Sequence, residues 1–269
     1  MIRPDSMAVD EILLYDLSRR GGNKSWSWNV WKSKSSLVRC DAFADDKSRA
    51  DRYAARLVLN YKQIPYRTVW LSHPEIEPTL KSLGMPPSSD GGYTVPTIRL
   101  PFGEYIMDST AIAKKLEVIH LSPSLHLETG TQDKAKAVMG RLAGPLLPVF
   151  MPRIGRNLIV DSALEHFYST KKKGLGMSLD EFEAAKGGEQ AWQAAQPGLE
   201  ALKALLTDNK VDQGPFILGS KVSYGDFVVV AMLEGLRRID QKIYDRIAKT
   251  DVSVELLHRA CKKWMENDE

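Results

Sequence analysis

Between Tyr93 and Ala113 the chain places one proline where a strand should run and one polar pair where a helix should start. Tyr93-Thr94-Val95-Pro96-Thr97-Ile98 is a β-branched run broken by proline, and Met107-Asp108-Ser109-Thr110-Ala111-Ile112-Ala113 follows a short strand later. Proline cannot donate to a sheet ladder, so inside a strand pattern it marks an edge, a bulge or a cis bond held in a turn. Cis is cheap only before proline, about 0.5–1 kcal/mol above trans, and the need for a turn here points to a cis Val95–Pro96 bond. Ser109 falls at the expected helix N-cap, because Ala111, Ile112 and Leu116 continue as a helical apolar stripe. Unpaired N–H groups and the positive end of the macrodipole at such a terminus suit a carboxylate. Taken alone, the stretch reads as readily as an ordinary strand, turn and capped helix. The order of the surrounding elements reverses that weighting.

The bulk properties remove several classes. A chain with 43% hydrophobic and 26% charged residues is that of a globular protein long enough for one large domain or two modest ones. Its net charge of +3, with cations and anions interspersed, argues against nucleic acid as partner. No segment reaches the apolar length of a membrane span and the first residues lack a secretory core, so the expected compartment is the cytosol. Cys40 and Cys261 lie far apart and outside any Cys-x-x-Cys pair, and the five histidines show no ligand spacing. A disulfide framework, a metal site and dithiol redox chemistry are therefore not expected. Any sulfur chemistry has to come from a bound thiol.

Along the chain, residues 11–16 read as a buried first strand, 56–62 as a helix, 64–70 as a second strand and 75–83 as a short helix stopped by Gly84. Strands over 94–100 and 104–107, joined by Pro101-Phe102-Gly103, lead into a helix from 109 to about 119. Beyond Ser122-Pro123 the pattern is helical throughout. Ser178-x-x-Glu181 is a capping box, and Ser223-Tyr224-Gly225-Asp226 opens the most apolar helix, which should be the buried centre of a helical domain. The expected domains are 10–120 and 128–269. Met139, Leu146, Leu147, Phe150, Met151 and Phe167 fit either a ligand wall or, preferably, core.

This order, with the Val-Pro and Asp-Ser pairs, resembles the glutathione transferase family: an α/β thioredoxin-like domain followed by an all-α domain. Phe216-Ile217-Leu218-Gly219-Ser220-Lys221-Val222-Ser223-Tyr224-Gly225-Asp226 is similar to that family's folding motif, in which Ser223 caps the core helix and Asp226 returns a hydrogen bond to the capping loop. The resemblance extends from about residue 11 to 265. It implies that Val95 and Pro96 hold the peptide backbone of glutathione as co-substrate and that Asp108 and Ser109 hold its γ-glutamyl end.

Lys24-Ser25-Trp26-Ser27-Trp28-Asn29-Val30-Trp31-Lys32 looks like the Trp-Ser-x-Asn-x-Trp-Lys segment of serine-type fungal members related to bacterial β-etherases. Within that pattern Ser27 is the candidate catalytic hydroxyl and Asn29 a second donor. A free thiol with a pKa near 8.5 is only partly ionised at neutral pH, and a hydroxyl aimed at sulfur raises the thiolate population. In the family this segment runs directly into the first helix. Here residues from about 33 to 54, largely polar, intervene where the helix N-terminus should face sulfur. They are expected to form a solvated loop with the helix restarting near Ser48, an arrangement able to separate Ser27 from the glutathione site.

The leading expectation is thus a cytosolic transferase joining glutathione to a hydrophobic, aromatic electrophile, etherase-like and acting in detoxification or secondary metabolism. The alternative is a non-catalytic protein of the same fold that binds glutathione or hydrophobic ligands, its active site disrupted by the insertion. A third, an interaction module like the transferase-like domains attached to translation factors, is opposed by the retained Asp108-Ser109. The family also implies a homodimer, and neither a membrane nor nucleic acid as partner.

Overall fold

An apolar six-residue run needs an interior position, and Ile12–Leu17 (β1) is buried along its whole length. In the computed structural model, which describes residues 11–21, 52–88, 92–208 and 210–267, β1 pairs in parallel with Tyr66–Leu71 (β2), Leu14 facing Thr68. The parallel pairing requires a crossover, and its described part is the helix Arg52–Tyr61 (α1). On its other side β1 runs antiparallel to Thr97–Arg99 (β3), which pairs with Tyr105–Met107 (β4). The sheet order is β2-β1-β3-β4. A 3-10 turn, His73–Glu75, leads into Ile76–Ser82 (α2), after which Gly84 takes φ +76°, the left-handed stop expected there. Ser109–Ile119 (α3) closes this half.

One expectation is corrected. The strand expected over 94–100 is only three residues long, because the chain turns at Pro96, which has no N–H to offer a ladder. The expected helix restart near Ser48 lies outside the described residues; α1 is described from Arg52, and the side chain of Ala54, at the end of the expected insertion, is fully buried. With Ala55, Leu57, Val58 and Leu59 it forms the apolar side of α1, at 0% exposure throughout.

The second half is helical: Thr131–Asn157 (α4), Leu164–Leu175 (α5), Leu179–Lys186 (α6), Glu189–Thr207 (α7), Tyr224–Ile239 (α8), Gln241–Ala248 (α9) and Val252–Met265 (α10). α8 is its buried centre, packed against α4 and α1, with every residue from Tyr224 to Leu236 buried. α4 runs through Pro145, Pro148 and Pro152. Each interior proline costs about 3 kcal/mol, but Met139, Leu142, Leu146, Leu147, Phe150, Met151 and Ile154 are buried on the same helix. At about 1.5–3 kcal/mol for each buried side chain, packing outweighs the breaks. Phe167 is buried as well, so the six residues suggested as wall or core are core.

The halves are joined through α1. Tyr61 packs edge-on against Phe227 and Trp264, with ring centroids 5.3 and 5.1 Å away, and Asn60 Nδ2 donates to the Trp264 carbonyl at 2.7 Å. Lys62, its side chain wholly buried, places Nζ 2.6 Å from Glu117 and donates to the carbonyls of His120 and Pro123 at 2.5 and 2.8 Å. That ammonium ties α1 to the C-terminus of α3 and to the connection between the halves, where a cation complements the helix dipole. Among the described residues no helix is long and apolar enough to cross a membrane.

Candidate functional site

The β3–β4 register assembles the site. Because Thr97 faces Met107, the residues just before Thr97 and just after Met107 lie at one end of the sheet. They are Val95-Pro96 and Asp108-Ser109. The Val95–Pro96 peptide is cis, as expected. Thr94 is pinned on both sides, its N–H donating to Met107 Sδ at 3.1 Å and its carbonyl accepting from Thr97 Oγ1 at 2.8 Å. Among the described residues the N–H and C=O of Val95 make no hydrogen bond, although Val95 is fully buried. Buried backbone groups are nearly always paired, so this is an edge shaped to receive another backbone.

The cap of α3 differs from the sequence expectation by one residue. Asp108, not Ser109, is the N-cap: its Oδ1 accepts from the N–H groups of Thr110 at 2.9 Å and Ala111 at 3.0 Å. One carboxylate oxygen accepts from both N–H groups, and its charge complements the positive helix end. Asp108 adopts φ +84° and ψ 125° to do so. A non-glycine residue there is uncommon and costs on the order of 1–3 kcal/mol, a strain found mostly at functional sites. The displacement leaves Ser109 as the first helical residue, only 3% exposed, with neither its N–H nor its hydroxyl partnered among the described residues. The second carboxylate oxygen of Asp108 is likewise without a partner among them. At one helix end there are thus two donors and one anionic acceptor, the complement of a zwitterionic amino-acid terminus.

Ser27 and Asn29 lie outside the described residues, and so does the stretch from 33 to 51. The chain enters that stretch at Gly21 from a fixed point. Arg20 donates through its backbone N–H to the Leu158 carbonyl at 2.8 Å and through its guanidinium to the Arg156 carbonyl at 3.0 Å, and it pairs with Asp161. Arg20 is therefore moored to the C-terminal end of α4.

Sequence reasoning missed three cations. Arg56 lies 1% exposed under the sheet, 3.1 Å from Asp16 and 3.0 Å from Thr68 Oγ1, stacked over Tyr66 and Trp70. An arginine in an otherwise apolar helix and an aspartate closing an apolar strand were the available signal. Lys62 had none, and neither had Lys136 of α4, whose Nζ donates to Thr110 Oγ1 at 2.6 Å. The thiol of Cys261 is buried and pushed up by desolvation, which removes it as a nucleophile.

Comparison with known proteins supplies the context. Residues 54–119 match the sequence profile of the glutathione S-transferase N-terminal domain, and residues 135–264 that of its C-terminal domain. A glutathione S-transferase-like protein, ustS of Aspergillus flavus, is 28% identical over 264 residues, covering 91% of this chain and 87% of its own. Among solved structures, glutathione transferase GSTFuA3 of Phanerochaete chrysosporium superposes with a TM-score of 0.76 at 23% identity, over 94% of this chain and 97% of that one. The transferase CsGST63524 of Ceriporiopsis subvermispora, solved in complex with glutathione, gives a TM-score of 0.75 at 24% identity, over 95% of this chain and 98% of that one.

Proposed function

The chain belongs to the glutathione S-transferase family, and from that premise we propose that it binds glutathione at the end of the sheet and transfers it to an electrophilic, aromatic small molecule, ether-linked aromatics included. The observation that carries the reading is the pairing of unsatisfied groups: Val95 offers a backbone edge, Ser109 two donors and Asp108 one acceptor. Glutathione presents the matching set. The peptide N–H and C=O of its cysteine fit the edge at Val95, beside Pro96. Its γ-glutamyl carboxylate fits Ser109 and the positive end of α3, and its ammonium fits the second oxygen of Asp108.

Glutathione supplies the sulfur nucleophile. Ser27 is the hydroxyl that holds the sulfur as thiolate, with Asn29 as a second donor. The sulfur's electron pair forms the S–C bond to the electrophile while the leaving group departs with the pair of the bond that breaks. The protein acts as a cytoplasmic homodimer in this reading, and the acceptor sits against the helical half.

The second reading is a non-catalytic binder of glutathione or hydrophobic ligands, favoured by the residues inserted between Lys32 and α1. Calorimetry with glutathione, followed by turnover with an activated chloronitrobenzene, separates the two. Binding with turnover that disappears in Ser27→Ala is the expected result. Binding without turnover, with turnover appearing once residues 34–51 are deleted, establishes the second reading instead. No glutathione binding at all refutes both.

A further inference from the structure

We infer that Met107, through its sulfur, is the positioning residue for the backbone edge at Val95 and so sets how tightly the cysteinyl carbonyl of glutathione is held. The inference rests on the glutathione reading above and adds to it a side chain that acts through Thr94.

A peptide group is planar, so the direction of its carbonyl fixes the direction of its N–H. The Thr94 carbonyl accepts from Thr97 Oγ1 at 2.8 Å. In a trans unit the Val95 N–H then points the opposite way, away from Thr97. The peptide plane on the other side of Thr94 is held by Met107, whose Sδ accepts from the Thr94 N–H at 3.1 Å. Two fixed planes leave Thr94 neither of its soft dihedrals. The Val95 N–H, which makes no hydrogen bond among the described residues, is thereby aimed before a ligand arrives. Such preorganisation lowers the ordering cost of binding.

The two anchors differ in kind. Thr97 belongs to the same strand end and is fully buried, whereas Met107 belongs to β4 and stands opposite Thr97 in the ladder. A thioether is a weak acceptor, and a partly buried backbone N–H ordinarily finds an oxygen. Its use here links the edge at Val95 to the residue just before Asp108, whose Oδ1 caps α3. One short strand thus sets both the peptide edge and the γ-glutamyl end, and a ligand spanning them meets them at a fixed spacing. Met107 is also packed against the core, so its acceptor role has to be separated from its packing role. Leu fills the space and accepts nothing, whereas Gln, equal to Met in chain length up to the fourth heavy atom, offers an acceptor oxygen.

The test is calorimetry on the full chain with two ligands: glutathione, and γ-glutamylcysteamine, which lacks the cysteinyl carbonyl and the glycine beyond it. Met107→Leu should weaken glutathione about three- to tenfold, one hydrogen bond's worth, and leave γ-glutamylcysteamine unchanged. Met107→Gln should recover most of the glutathione affinity, the reverse of what packing alone would give. In the unliganded wild type the Thr94 amide should be protected from hydrogen exchange, a measurement that needs no variant. An unprotected Thr94 amide overturns the inference, and so does equal glutathione binding by wild type and Met107→Leu. Equal losses in Met107→Leu and Met107→Gln would make the residue plain packing, and a loss by the same factor for both ligands would mean that the sulfur does not act through Val95. Either result overturns it. If the wild type binds γ-glutamylcysteamine as tightly as glutathione, the cysteinyl carbonyl is not read and the inference falls while the glutathione reading stands. Failure of the wild type to bind either ligand sinks the glutathione reading along with it.

Discussion

The N-termini of α3 and α8 are built from the same two residue types and do opposite things. At α8 the order is Ser223-x-x-Asp226, and everything is closed internally. Asp226 accepts from the N–H of Ile217 at 2.7 Å, the N–H of Ser223 at 2.7 Å and the Ser223 hydroxyl at 2.8 Å, all three residues being buried. At α3 the order is Asp108-Ser109. The acid caps two N–H groups from outside the helix, and the serine, first inside, is left with its donors unspent among the described residues. Moving the acid from the third helical position to the cap converts a structural lock into a receptor. A self-satisfied helix end stabilises the fold, whereas an end with buried, unpartnered donors is stabilised by what binds it.

The largest effect that could break this comparison is at the closed end. Asp226→Ala leaves two buried N–H groups without their acceptor and should cost about 2–6 kcal/mol in urea unfolding, at 1–3 kcal/mol for each. A loss below 1 kcal/mol would mean that the lock is not one. The same site has a pH signature. Burial pushes Asp226 up to about 6, against the lowering effect of its hydrogen bonds from Ile217 and Ser223, whereas the unfolded chain releases that proton near 3.9. The folded state therefore binds more protons between those values, and stability falls as pH rises from about 4 to about 6, by roughly 3 kcal/mol.

Glu234 has the opposite sign. Burial raises it, but hydrogen bonds from Arg237 and His258 and the charge of Arg238 outweigh burial and hold it well below the ordinary carboxylate range. Its contribution is present above the unfolded value near 4.3 and lost as pH falls. The difference between wild type and Asp226→Asn isolates the Asp226 part, and a pH-independent difference would contradict it.

The smallest effects sharpen the open end. Asp108→Ala removes a cap and should cost about 0.5–2 kcal/mol of stability. Ser109→Ala should change stability by less than about 0.5 kcal/mol, while weakening glutathione in calorimetry by about three- to tenfold, one hydrogen bond's worth. If Ser109→Ala destabilises the chain as Asp108→Ala does and leaves glutathione affinity unchanged, the roles of the two residues are exchanged.

Features whose physics acts within three or four residues were legible beforehand. The Ser178 box forms as written, Ser178 Oγ accepting from the Glu181 N–H at 3.2 Å. The same is true of the left-handed stop at Gly84 and the buried α8, whose apolar residues all round could suit only an interior helix. The Val95–Pro96 and Asp108-Ser109 pairs were also visible, because proline and cap residues announce themselves locally. The assignment of the cap to Ser109 failed because two adjacent residues can each serve. The choice depended on the backbone angle at Asp108, which is set by how β4 delivers the chain into α3.

By itself, then, the sequence determined the order of elements, the two-part architecture and which short segments would carry polar groups to a helix end. Only the tertiary structure decided which of those groups stay unpaired. Thr110 and Lys136 are 26 residues apart, Lys62 and the His120 carbonyl 58, and Arg56 and Asp16 40. α4 holds its course through three prolines only because α7 and α8 bury it. Periodicity and capping are local energies read along the chain, whereas burial, pairing and the field at a site are sums over neighbours that exist only after the chain has folded.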